Sequence, residues 1–185
     1  ALVDITNFIT YDLGRPIHVY DADKLKGNIS MRLANDGEKC KTLDEKEYAL
    51  SSDMVVIADD DKLHGIGGIM GGLDSSCSMY TTNVFLEVAL FDPISVTTTG
   101  RKLNLQSDAR YRFERGIDST SIDWGVDRAT EMILDLCGGE ASEITSDQSV
   151  RLNKKIIKYD FNKTRTLGGV NISHKDQIKI LDSLG

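Results

Sequence analysis

Cysteine is scarce in this chain. Three residues, Cys40, Cys77 and Cys137, lie far apart, are odd in number and form no CxxC pair. This argues against a disulfide framework and against a zinc site, and it fits reduced thiols in a cytosolic protein. Long apolar runs are missing as well, since none approaches the roughly 20 residues a membrane span requires. The opening Ala1-Leu2-Val3-Asp4 lacks the basic start and apolar stretch of a secretory signal. An excess of basic charge is also absent: 22 Lys and Arg stand against 29 Asp and Glu, for a net charge of −7. That argues against a module holding nucleic acid by electrostatics alone. It leaves open a pocket that receives one end of an RNA held by other domains. No internal repeat or low-complexity tract is present.

What the chain does contain is ordinary for a globular protein: 185 residues, 40% hydrophobic and 28% charged. This length supports one well-buried domain, or one domain and part of another. The first residue is not Met, and the chain opens directly into patterned sequence, so it reads as an internal piece with both ends cut.

Apolar positions at Ile5, Phe8, Ile9 and Leu13 have helical spacing. Gly14 then supplies a stop, and Pro16 cannot continue the helix. Ile17 to Tyr20 follow in extended form. Strands are expected over Asn28 to Leu33, Glu47 to Leu50 and Met54 to Ala58, with turns at Asp36-Gly37 and Asp59 to Lys62. Lys62 to Gly72 is glycine-rich, a bulged strand or a backbone-lined loop. Asn83 to Phe91 has the strongest strand pattern. Pro93 opens a helix towards Arg101. Ile122, Val126, Ala129, Ile133 and Leu136 share a helix face that ends at Gly138-Gly139. A further strand over Ile144 to Val150 precedes a boundary near Arg151. Beyond it, a strand is expected at Ile156 to Tyr159, a short helix at Phe161 to Leu167, and a second helix capped by Ser173 with Asp176. The fold class is α+β: a β-sandwich-like core with flanking helices, followed by part of a small helical domain.

Several residues could carry chemistry. Glu87 is the one charged group in a strand apolar on both faces, and an ionised carboxylate there is costly unless hydrogen-bonded or facing a wet pocket. It is either an ion-pair partner, for instance of an arginine between 110 and 115, or a functional acid. His18 follows a proline-restricted loop, and is either packed there or held for proton transfer or water positioning. His64 and His174 have no partner at metal-ligand spacing. The glycines at 65 to 72 lack the Gly-Lys-Ser/Thr ending of a phosphate loop, and Met70 occupies the third glycine position of a dinucleotide fingerprint begun at Gly65. They fit close backbone approach to a ligand, or a bulged strand, equally well. Ser107 has no nucleophile elbow around it, and the charges from Asp108 to Arg115 read as an ion-pair network.

Taken together, these segments resemble one family. Val3-Asp4-Ile5-Thr6-Asn7-Phe8, followed by Leu13-Gly14-Arg15-Pro16-Ile17-His18-Val19-Tyr20-Asp21, is similar to the "VDVTNY…LGQPxHAFD" signature of the bacterial-type phenylalanyl-tRNA synthetase β subunit. Gly67-Gly68-Ile69-Met70-Gly71-Gly72 matches its "GGIMGG" segment, and Leu86-Glu87-Val88-Ala89 resembles its "LExA" strand. The stretch from Ser107 to Asp118 resembles "SDASxRFERGVD". The order is right and the spacing continuous.

The resemblance implies that residues 1–150 form the tRNA-editing module of that subunit, and that 151–185 begin the next, truncated module. It implies hydrolysis of Tyr-tRNA(Phe) made in error, in support of phenylalanyl-tRNA aminoacylation. The non-catalytic alternatives are an RNA-binding module and a structural scaffold of the same subunit. The implied catalytic residues are His18 and Asn7. The implied substrate-binding residues are Glu87, Gly71, Pro16, Ser107 and Ala109, with Ser107 standing where the family often has Thr. The family's arginine upstream of the first motif lies outside this chain. No cofactor or metal is implied for this segment, whereas the parent ligase uses ATP and Mg²⁺. The implied partners are the acceptor end of tRNA(Phe) and the synthetase α subunit, in a cytoplasmic (αβ)₂ assembly.

Overall fold

The first eighteen residues set the frame for everything that follows. Helix α1 (Leu2–Asp12) buries Ile5 and Ile9, one turn apart, and ends where Gly14 adopts a φ of +67°. Pro16 forces extended backbone, and β1 (His18–Asp21) begins two residues later. The computed structural model describes residues 1–147 and 156–184. Its fold is α+β, with a β-sheet core flanked by helices and further helices after it. It divides into two compact units, residues 1–145 and 146–185.

In the first unit, β1 pairs antiparallel with β8 (Val84–Glu87), setting His18 opposite Glu87 and Tyr20 opposite Phe85. A separate four-stranded antiparallel sheet contains β2 (Ser30–Leu33), β5 (Val55–Ala58), β6 (Leu63–Ile66) and β7 (Met70–Gly71), in the order β2-β5-β6-β7. A two-stranded ribbon joins β3 (Lys39–Lys41) to β4 (Glu47–Ala49). The glycine-rich run is therefore a hairpin, β6–turn–β7, with Gly68 at a φ of +68° in its turn.

Helix α2 (Pro93–Lys102) is capped by Asp92, whose carboxylate accepts from the Ser95 N–H. Together with α3 (Asp108–Phe113), it packs Val96 and Phe113 onto the core of Val56, Ala58, Ile66 and Ile69. Helix α4 (Ser121–Cys137) buries Ser121, Gly125 and Ala129, an i, i+4 line. Ala129 forms a second apolar cluster with Ile5 and Ile9 of α1.

Three expectations change. The strand over Asn83 to Phe91 is regular only from Val84 to Glu87, and Phe85 is 36% exposed, so it is not buried on both faces. The cause is Pro16. Continuing the register of β1 and β8 would bring Pro16 opposite Ala89, where it has no N–H to offer. The Arg15 side chain takes the Ala89 carbonyl instead, Nη2 to O at 2.5 Å. Ile156 to Tyr159 is irregular rather than a strand. Among the described residues no strand lies in the second unit to pair with it, and Ile156 is 93% exposed. Residues 144–147 are irregular too. The rest of the strand expected there, and Arg151, lie outside the described residues.

The second unit holds α5 (Asn162–Thr166) and α6 (His174–Leu184). Ser173 caps α6, its hydroxyl accepting from the Asp176 N–H and donating to the Asp176 carboxylate. Gln177 is buried and ties the unit together, accepting from Thr164 and donating to the Ile172 carbonyl.

Candidate active site

The first unit contains a cavity of about 530 Å³. Its walls come from α1, β1, the β6–β7 hairpin, β8 and the N-terminal end of α3. All seven residues singled out in the sequence line it: Asn7, Pro16, His18, Gly71, Glu87, Ser107 and Ala109. Asn7 sits on the exposed side of α1, and Pro16 is buried in the wall.

The β1–β8 register builds the polar part of the cavity. Residues directly opposite, or two apart on one strand, share a sheet face. His18, Tyr20, Phe85 and Glu87 therefore stand together. The Tyr20 phenol donates to Glu87 Oε2. The second carboxylate oxygen, Oε1, has no hydrogen-bond partner among the described residues and is not among the buried atoms left without one. Burial pushes the Glu87 carboxyl above the usual carboxylate range, while the Tyr20 hydrogen bond and the nearby Arg15 charge pull it back. Arg15 is itself fully buried, and its guanidinium is pushed down to about 10 by burial, with Glu87 opposing. The arginine closest in effect to Glu87 is thus Arg15 and none of those from 110 to 115. Arg110 instead pairs with Glu114 at 3.1 Å and donates to the Leu105 carbonyl.

Burial alone pushes His18 down to about 4, so its imidazole is neutral at physiological pH. Its Nε2 is buried with no hydrogen-bond partner. It lies against Gly71, where a Cβ would come 2.3 Å from His18 Cε1 and 2.4 Å from Nε2. Only glycine leaves the ring its place. The reason is contact, not backbone conformation, since Gly71 has no positive φ.

Ser107 caps α3: its hydroxyl accepts from the Arg110 N–H at 3.0 Å and donates to the Ile69 carbonyl at 2.6 Å. Both commitments fix the start of α3 to the hairpin turn, and they leave this hydroxyl unsuited to act as a nucleophile. The helix itself was not expected; Ser107 followed by Asp108 was the available start signal. Tyr20 and Arg15 were also missed as site residues. For Tyr20 the signal was its place two residues beyond His18 in an extended segment. Among the described residues no three His, Cys, Asp or Glu side chains converge on a metal position, and no helix is long and apolar enough to cross a membrane.

An α+β unit with this cavity is recognisable at the level of a domain family, and the chain belongs to the B3/4 domain family, whose model matches residues 1–138. Its full length closely matches phenylalanine–tRNA ligase β subunits. It is 48% identical over 185 residues to that of Ruegeria pomeroyi and 51% identical over 185 residues to that of Paramagnetospirillum magneticum. In both cases the match covers 100% of this chain and 23% of the relative, so the chain spans less than a quarter of the length of these curated relatives. A crystal structure of an N-terminal fragment of the phenylalanyl-tRNA synthetase β subunit from Pyrococcus horikoshii shows a loose likeness. Its TM-score is 0.41 at 19% identity, over 46% of this chain and 32% of that one.

Proposed function

We propose that the cavity hydrolyses the ester of tRNA(Phe) mischarged with tyrosine, as the editing module of a phenylalanine–tRNA ligase β subunit. The observation that carries this reading is Glu87: a carboxylate with one oxygen free, in a cavity otherwise walled largely by apolar groups and opposite an imidazole. Tyrosine differs from phenylalanine by one hydroxyl. A hydrophobic synthetic pocket rejects an added hydroxyl by only about 10²-fold. A second site built to accept that hydroxyl inverts the problem. Phenylalanine would leave its buried acceptor unpaired, at a cost of roughly 1–3 kcal/mol. In this reading Glu87 Oε1 accepts the substrate phenol, and Gly71 keeps the space around His18 open.

Hydrolysis itself proceeds by attack of water on the ester carbonyl. It releases tyrosine and restores the free 3′-terminal hydroxyl of the tRNA. His18 and Asn7 orient the ester and the water, with the His18 imidazole neutral. A pKa near 4 makes His18 a weak base and favours this orienting role over full proton abstraction. Backbone N–H groups between Ser107 and Ala109, at the cavity wall, would stabilise the developing oxyanion. Pro16 and Ala109 shape the wall. Residues 1–150 form this module and 151–185 begin the next. The parent ligase works in the cytoplasm with its α subunit, ATP and Mg²⁺.

The test is Glu87→Ala in the complete synthetase. Deacylation of Tyr-tRNA(Phe) should fall by at least about 100-fold, in line with the loss of one essential polar contact, while phenylalanine activation stays unchanged. Normal clearance of Tyr-tRNA(Phe) by that variant would overturn the reading, and altered subunit assembly with intact clearance would point to a scaffold role.

A further inference from the structure

We propose that Tyr20 is a positioning residue for Glu87: its buried phenol fixes one carboxylate oxygen and thereby presents the other to the cavity. The inference rests on the editing reading above and adds a group particular to this chain, since the family signature has Phe where Tyr20 stands.

Four observations support it. First, Tyr20 is only 1% exposed. Its ring lies edge-on to His18 at 4.5 Å and packs beside Phe85 at 6.0 Å and His64 at 6.3 Å. It is part of the cavity wall, held there by its ring neighbours, so its contact with Glu87 is made within the wall. Second, the β1–β8 register makes Tyr20 and Glu87 diagonal neighbours on one face, a spacing that two long side chains can bridge. Third, an ionised carboxylate has roughly four acceptor positions. Tyr20 uses Oε2, and Oε1 has no partner among the described residues. Fourth, β8 ends at Glu87, so no further ladder pairing steadies this side chain. A free glutamate would have to be ordered each time a ligand bound; one already tethered has lost that freedom on folding.

The phenol also favours the ionised carboxylate, because it donates to it. Activity that needs an ionised acceptor declines as pH falls through the Glu87 pKa. Removing the donor raises that pKa and moves the decline to higher pH.

The experiment uses the complete synthetase carrying Tyr20→Phe, with Tyr20→Met as a second variant should the first fail to fold. Deacylation of Tyr-tRNA(Phe) and Phe-tRNA(Phe) is followed against pH. Two changes are expected. The acid limb of kcat/KM for the tyrosyl ester should move up by about one pH unit, the scale of one hydrogen bond to a charged group. The preference for tyrosyl over phenylalanyl ester should fall about tenfold, the equilibrium equivalent of that same contact. A purely structural role for Tyr20 would lower activity on both esters and leave limb and preference where they are; that result, or wild-type behaviour, overturns the proposal. Glu87→Gln is run in parallel. If it hydrolyses Tyr-tRNA(Phe) normally, the editing reading itself fails. If it is inactive while the Tyr20 variants keep limb and preference, only the role of Tyr20 fails.

Discussion

Two histidine–carboxylate pairs lie in the first unit, and they are wired in opposite ways. His64 on β6 sits 2.6 Å from Asp59 just beyond β5, and both side chains are fully buried. Asp59 also accepts from the backbone N–H groups of Lys26, Asp61 and Lys62. Burial alone would push the Asp59 carboxyl up, but the Lys62 amide, His64 and the other donors outweigh it, and the group lies well below the usual carboxylate range. Glu87, across the sheet from His18, has one hydrogen-bond donor, one open oxygen and a raised pKa. The difference teaches how to tell a structural acid from a candidate site acid. A carboxylate whose acceptor positions are filled by its own chain holds loops together. One left partly unfilled beside a cavity is available to something else.

The sharpest way to break this comparison is Asp59→Ala. It removes the carboxylate from a buried histidine–carboxylate contact and deprives three backbone N–H groups of their acceptor, so it should cost about 3–5 kcal/mol of stability, measured by denaturant unfolding. Deacylation per folded molecule should hold. If Asp59→Ala folds as well as wild type, the structural half of the contrast is lost. Next in size is Gly71→Ala, whose methyl collides with the His18 ring. Displacing a positioned group by about 1 Å can cost up to roughly 10²-fold. Tyr-tRNA(Phe) deacylation should therefore fall by one to two orders of magnitude, and a variant with unaltered rates would show that the ring position is irrelevant.

The smallest effect concerns Glu87 and stability. Its proton is held more tightly in the folded protein than in the unfolded chain. Its contribution to stability is therefore fully present below the ordinary carboxylate pKa and is lost as pH rises through the raised one. Glutamine has no such loss. Glu87→Gln should thus raise the melting temperature by a few degrees at neutral pH, and the gain should vanish in acid. A gain that is the same at both ends of the range would mean that Glu87 does not titrate as its surroundings dictate.

Much of this was legible in the chain itself. The stop at Gly14, the opening at Pro93 and the Ser173 cap are local signals, and local signals decide helix ends; the α4 face was read less well, since Ser121, Gly125 and Ala129 are its buried residues and Leu136 is exposed. The odd carboxylate at position 87 was visible as well, as the one charged group in an otherwise apolar run. That Asn7, His18, Gly71 and Glu87 meet around one cavity came from family resemblance, because nothing in their spacing brings four distant segments together. The partner of Glu87 was not legible. Choosing Tyr20 over an arginine from 110 to 115 depends on strand register, a long-range property. The early end of β8 was hidden likewise: its cause, Pro16, lies just before the partner strand, some seventy positions away in sequence.

That proline has a consequence for access. The two-stranded ladder runs from Asp21 and Val84 and terminates at His18 and Glu87. Both groups thus stand at the last rung, and beyond it the Ala89 carbonyl is met by the Arg15 guanidinium instead of a neighbouring strand. Halting the ladder with an imino acid leaves its last rung, His18 and Glu87, as cavity wall, so the point where the sheet stops decides where these two side chains stand.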